Sequence, residues 1–150
     1  AFDVICKLNL RSHLTILYRL RKCEGENFNR TWSEYEQGFG SVPWNSWLGL
    51  KKIQHILNNQ TSLSLRILLS NTHGESCSIF YDNVRLGDAS TKYQFQARSV
   101  YTSIYRPTCG DSMIGLNNTL DLRGRPFSTY DQDETSNGCA ARFGGGWWFA

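Results

Sequence analysis

The chain has 150 residues, 40% hydrophobic and 13% aromatic, which suits one domain with a real core and excludes a disordered segment. Its net charge is +3, with 16 Lys and Arg scattered among 13 Asp and Glu. That scatter gives nucleic acid no concentrated basic footprint, and no apolar run approaches the roughly 18–20 residues that span a bilayer.

Phe2 to Cys6 alternates weakly, and Leu14-Thr15-Ile16-Leu17-Tyr18 reads as a strand, being apolar and β-branched. The short basic run Arg19-Leu20-Arg21-Lys22 then reads as a solvated surface. Thr31 and Glu34 have capping-box spacing, so a short helix is predicted there, closed by Gly38-Phe39-Gly40. A second helix is predicted from about Trp47 to Leu57. Leu48, Ile53, Ile56 and Leu57 recur near the helical period, while Lys51, Lys52 and His55 face outward. Ser62 to Ile67 alternates at period two as a half-buried strand, and Cys77–Tyr81 and Tyr93–Val100 follow as two more. From Pro107 onward Gly, Asp, Asn, Ser and Thr dominate, and loops with short strands are expected. The fold class is α+β. The central sheet region is placed at about 1–106 and a loop-rich subdomain at about 107–150.

Five cysteines, Cys6, Cys23, Cys77, Cys109 and Cys139, are dispersed without a Cys-x-x-Cys pair or a nearby histidine. That spacing argues against structural zinc. Three N-glycosylation acceptors, Asn29-Arg-Thr31, Asn59-Gln-Thr61 and Asn117-Asn-Thr119, join the cysteines in pointing to a secreted, oxidising setting.

The stretch from Phe127 to Cys139 carries oxygen-bearing side chains at the alternate positions 131, 133, 135 and 137. Calcium takes six to eight hard oxygen ligands, and a loop of this kind can wrap one ion, although the pattern is not an EF-hand. A polar turn with Asx capping is the other reading of the same residues. Hydrolase readings fail. No G-x-S-x-G elbow surrounds Ser112, and Asp131 and Asp133 stand too close in sequence to flank a substrate as acid and base. Gly144-Gly145-Gly146 lacks the Lys of a phosphate loop and runs into Trp147-Trp148, which reads as backbone packed under indole rings, with the tryptophan pair as core or, alternatively, as a ligand platform.

In order along the chain stand Asn29-Arg30-Thr31-Trp32, Glu34-Tyr35, Gly38-Phe39-Gly40, Trp47-Leu48-Gly49-Leu50, Leu65-Arg66-Ile67, Tyr81-Asp82-Asn83, Gly110-Asp111-Ser112, Phe127-Ser128-Thr129, Asp131-x-Asp133, Cys139-Ala140 and Gly145-Gly146-Trp147-Trp148. This series resembles the fibrinogen-related domain, and the wording from Arg125 to Asp133 is most similar to invertebrate fibrinogen-related lectins, ficolins and tachylectins. The resemblance implies a fibrinogen C-terminal-like fold with a central, twisted, mostly antiparallel sheet, short flanking helices and a calcium-bearing C-terminal subdomain. It implies no catalysis. The function it implies is a secreted pattern-recognition lectin of innate immunity, calcium-supported, binding acetylated carbohydrate or microbial surface glycans. An extracellular protein–protein module of the matrix or growth-factor kind is the alternative. No nucleic acid and no membrane span are expected, and the full-length protein is expected to be oligomeric, since linked copies multiply weak sites.

By the same resemblance, Asp131 and Asp133 supply calcium-binding side chains and Thr135 and Asn137 supply carbonyls. A count from the other end of the loop would place one ligand on the Thr135 side chain. The loop is two residues shorter than the family pattern, and Phe143 is the expected aromatic wall of an acetyl pocket. The family partners of Cys6 and Cys139 would fall before and after this chain. The chain is therefore expected to be incomplete at both ends and a poor binder alone. Cys23, Cys77 and Cys109 have no family role; the pair expected among them is Cys77–Cys109, leaving Cys23 unpaired or bonded elsewhere.

Overall fold

A computed structural model describes residues 6–7, 13–20, 25–41, 44–102, 104, 107–115 and 121–150. At the N-terminal end, β1 (Cys6–Lys7) pairs antiparallel with β2 (His13–Leu14). A bend at Ile16 separates β2 from β3 (Leu17–Tyr18), so the stretch expected as one strand is two. Helix α1 (Trp32–Gln37) starts where the spacing predicts. Thr31 caps it through its side chain, and Glu34 returns the bond to the Thr31 backbone. Gly38 ends the helix at φ 96°; a Cβ there would lie 2.4 Å from the Leu48 carbonyl oxygen, so only glycine fits.

Strands β4 (Phe39–Gly40) and β5 (Ser46–Trp47) complete an antiparallel sheet in the order β3-β5-β4, with Trp47 opposite both Leu17 and Phe39. Trp47 is thus a strand residue and not the first residue of the second helix. Gly49, at φ 106°, turns the chain before α2 (Leu50–Asn58) begins. Ile53 is buried and Lys51 and His55 exposed, as the periodicity expects. Leu50 is buried too, Leu48, Ile56 and Leu57 are half-buried, and Lys52, expected outward, is half-buried and donates to the Leu48 carbonyl. Phe28, Tyr35, Phe39 and Trp47 form an edge-to-face aromatic cluster with centroids 5.0–5.7 Å apart. Arrangements of this kind add about 0.5–1.5 kcal/mol per pair beyond their burial.

The next elements are β6 (Leu65–Ser70), β7 (Ser76–Asp82), β8 (Arg85–Leu86), a short 3-10 turn at Ala89–Thr91, β9 (Phe95–Gln96) and β10 (Ser99–Tyr101). Their sheets are antiparallel, in the orders β10-β7-β6 and β8-β9. β6 starts three residues later than the alternation suggests. Ser62 is left-handed at φ 57°, and the Leu63 carbonyl accepts from the Val84 N–H instead of a ladder partner. The Tyr93–Val100 stretch splits into β9 and β10 where the Arg98 N–H donates to the Asp82 carbonyl. Tyr81, Phe95 and Phe127 are almost wholly buried, and Trp148 packs on Phe95 and Phe127 at 5.7 and 4.9 Å. Cys77 and Cys109 are joined as a disulfide, with Cα atoms 5.1 Å apart.

After Pro107 the described backbone is mostly loop with isolated bridges, until the short helix α3 (Cys139–Phe143). Two compact units result: Ala1–His55 with Ser128–Trp147, and Ile56–Phe127 with Trp148–Ala150. These units are interleaved in sequence. The side chain of Cys6, and all of Cys23 and Asn117, lie outside the described residues.

Candidate functional site

The oxygen-rich loop rests on a buried base. Ser128 and Thr129 are fully buried, and Ser128 exchanges backbone hydrogen bonds with Trp147 at 2.9 and 3.1 Å. Thr129 and Gln132 exchange two more, at 3.0 and 3.1 Å, which puts Tyr130 and Asp131 at the tip of a tight turn. The Ser128 hydroxyl accepts from the Glu134 N–H at 3.0 Å, so the chain after the turn is held from below as well.

The two aspartates then organise their surroundings differently. Asp131 Oδ1 accepts from the Thr129 hydroxyl at 2.7 Å and from the Trp32 N–H at 2.9 Å, tying the loop to the first residue of α1 in the same unit. Asp133 holds the chain that follows it. Its Oδ1 accepts from the Thr135 N–H at 2.8 Å and the Thr135 hydroxyl at 2.5 Å, and its Oδ2 accepts from the Ala140 N–H at 2.9 Å. The Thr135 hydroxyl oxygen in turn accepts from the Cys139 N–H at 3.0 Å. Burial alone would raise the Asp133 carboxyl. The Thr135 hydroxyl and the N–H groups of Thr135 and Ala140 outweigh it and hold the carboxyl below the ordinary aspartate value.

Donor chemistry in this loop fits a hard cation. A carboxylate offers about four lone-pair sites, and these hydrogen bonds leave capacity on both aspartates. Asp131 Oδ2 and the carbonyl oxygens of Thr135 and Asn137 accept no hydrogen bond among the described residues. Two carboxylates and two carbonyls match the hard oxygen set calcium prefers. Among the described residues no group of three or more His, Cys, Asp or Glu gathers around a metal position. Any ion here would therefore rely on carbonyls and water for most of its shell.

Phe143 ends α3, 68% exposed, with the Arg142 guanidinium 5.7 Å from its ring centre. Gly144 follows at φ 64°, and the Gly146 N–H donates to the Tyr35 hydroxyl at 2.8 Å. Trp148 is buried and donates its indole N–H to the Tyr93 carbonyl at 2.7 Å, whereas Trp147 is only half-buried. Asn29 and Asn59 are exposed, the placement a glycan needs. Cys139 opens α3 half-buried and unpaired among the described residues. Two residues that hold the loop's unit together, Trp32 through its N–H and Tyr35 through its hydroxyl, were not visible from spacing. Their contacts span 99 and 111 residues of chain, and no local pattern carries them.

The polar loop thus stands on an anchored, buried base within a mostly antiparallel β scaffold. The chain belongs to the family of the C-terminal globular domain of fibrinogen beta and gamma chains, whose profile matches residues 1–150. It is 33% identical over 148 residues to angiopoietin-4 of Mus musculus, covering 97% of this chain and 27% of that protein. It is 35% identical over 151 residues to tenascin of Mus musculus, covering 99% of this chain and 6% of that protein. This chain therefore spans well under half the length of these relatives. Among solved structures, the fibrinogen-like globe domain of human ANGPTL6 superposes with a TM-score of 0.79 at 27% identity, covering 96% of this chain and 60% of that one. Lamprey fibrin D-dimer, complexed with the peptide ligand Gly-His-Arg-Pro-amide, superposes with a TM-score of 0.82 at 23% identity, covering 97% and 48%. These likenesses establish the fibrinogen-like fold.

Proposed function

We propose that this chain is an extracellular, non-enzymatic recognition module that binds a protein or peptide partner over a calcium-stiffened loop at 130–137. The observation that carries the reading is the loop itself. Tyr130, Asp131, Gln132, Glu134, Ser136 and Asn137 are exposed, yet the backbone between them is fastened to buried Ser128 and Thr129. A surface held in one conformation loses little entropy on binding. Asp131 and Asp133 through their side chains, with Thr135 and Asn137 through their carbonyls, would hold calcium, which supplies charge balance and rigidity. Secretion is supported by the glycosylation acceptors, the Cys77–Cys109 disulfide and the kinship with angiopoietin-4 and tenascin. A protein partner is supported by the peptide ligand carried by the lamprey fibrin relative. Linked copies in a longer, oligomeric protein would raise avidity.

A second reading is an acetyl-glycan lectin of the invertebrate immune type, favoured by the exposure of Phe143 next to the Gly144-Gly145-Gly146 turn. One experiment separates the two. The oxidised chain, linked into multivalent copies so that avidity offsets a weak single site, is passed over immobilised peptide arrays and over acetylated resin, each with calcium and with chelator. Calcium-dependent retention on peptides, weakened by Tyr130→Ala, is the expected result. Retention on acetylated resin alone, eluted by free acetate and lost in Phe143→Ala, would replace the peptide reading by the lectin one.

A further inference from the structure

Asn137-Gly138 is the single Asn-Gly step in the chain; every other asparagine precedes a residue with a side chain. A backbone nitrogen attacks the preceding asparagine amide most readily when no side chain shields it and no hydrogen bond occupies it. Both conditions are met at this step. Asn137 is exposed, and Gly138 sits at φ 62° with nothing within 4 Å of the place a Cβ would take. The neighbouring N–H groups of Thr135, Cys139 and Ala140 are all hydrogen-bonded, whereas that of Gly138 has no acceptor among the described residues. The Gly138 carbonyl is held by the Arg142 N–H at 3.0 Å, so the step is anchored on one side and open on the other.

We propose that Asn137 is a site of spontaneous deamidation through which the loop acquires a fourth carboxylate, beside Asp131, Asp133 and Glu134. The Gly138 nitrogen loses its proton and bonds to Asn137 Cγ. The Cγ–NH2 bond breaks, ammonia leaves with that proton, and a cyclic imide remains. Water then opens the imide at either carbonyl. One opening leaves an aspartate at 137; the other leaves an isoaspartate, with one more methylene in the main chain. Either product adds one negative charge to a loop that already holds Asp131 and Asp133. The consequence for calcium rests on the proposed calcium-binding role of the loop: an added carboxylate strengthens attraction for a doubly charged ion.

The test ages the folded chain at mildly alkaline pH, digests it and follows each asparagine-containing peptide by mass. The peptide with Asn137 is expected to gain the mass difference between NH2 and OH several-fold faster than any other, and the Asn137→Gln variant to lose that gain. A rate at Asn137 no greater than at the other asparagines overturns the proposal. Calcium calorimetry on the Asn137→Asp variant tests the consequence. Tighter binding than in the unaged chain is expected, and equal affinity contradicts it. Absence of calcium heat in both would count against the calcium reading alone, because the mass measurement stands without it.

Discussion

Tyr35 joins two stretches of one unit through a single oxygen, donating to the Phe28 carbonyl at 2.7 Å and accepting from the Gly146 N–H at 2.8 Å. Tyr35→Phe keeps the ring in its aromatic cluster and strands the Gly146 N–H, while the Phe28 carbonyl keeps its bond from the Arg30 N–H at 3.0 Å. A loss of about 1–3 kcal/mol is expected, read by denaturant melts. Burial raises the Tyr35 phenol above the ordinary 10.0, against the Gly146 N–H and the Arg19 charge, which lower it. A raised value in the folded state means the contribution is whole below the unfolded value and is lost as pH rises through the folded one. Stability should therefore fall in the alkaline range. Tyr35→Phe should flatten that slope without removing it, since burial raises Tyr81 as well. Asp133 carries the opposite sign. Its lowered carboxyl contributes stability above the ordinary 3.8 that is lost as pH falls through the folded-state value. An acid titration should show a shallower loss in Asp133→Asn than in the parent chain.

At the scale of elements, α1 is only six residues long and depends on its ends. Thr31→Ala removes the side-chain half of the capping box, and a cost of about 0.5–2 kcal/mol is expected in thermal melts. That helix was legible because Thr31 and Glu34 lie within one turn of each other. Trp47 was misleading for the converse reason. Its apolar neighbours fit a helical period, but its pairing with Leu17 and Phe39 is non-local and Gly49 separates it from α2. The alternation at Ser62–Ile67 found the right strand and the wrong start, since left-handed Ser62 interrupts the ladder. In the loop, alternate oxygens were visible in the sequence. The link from Asp131 to the Trp32 N–H, which fixes the loop's base, was not.

For the whole molecule, composition and motif order carried the fold class and the family, while the interleaving of the two units came from pairings that no linear reading contains. Cys77–Cys109 closes a sequence separation of 32. By chain entropy such a closure contributes about 3–4 kcal/mol, so the Cys77→Ser, Cys109→Ser double variant should unfold earlier in denaturant by that amount. Under the proposed function, recognition by this module depends on whether the loop at 131–137 holds a calcium ion. Calorimetric titration of calcium into the parent chain and into Asp133→Ala measures this most directly. A saturable heat from one site in the parent chain, lost in Asp133→Ala, is the predicted result. No heat in the parent chain, or heat unchanged by the substitution, would contradict a calcium-stiffened loop.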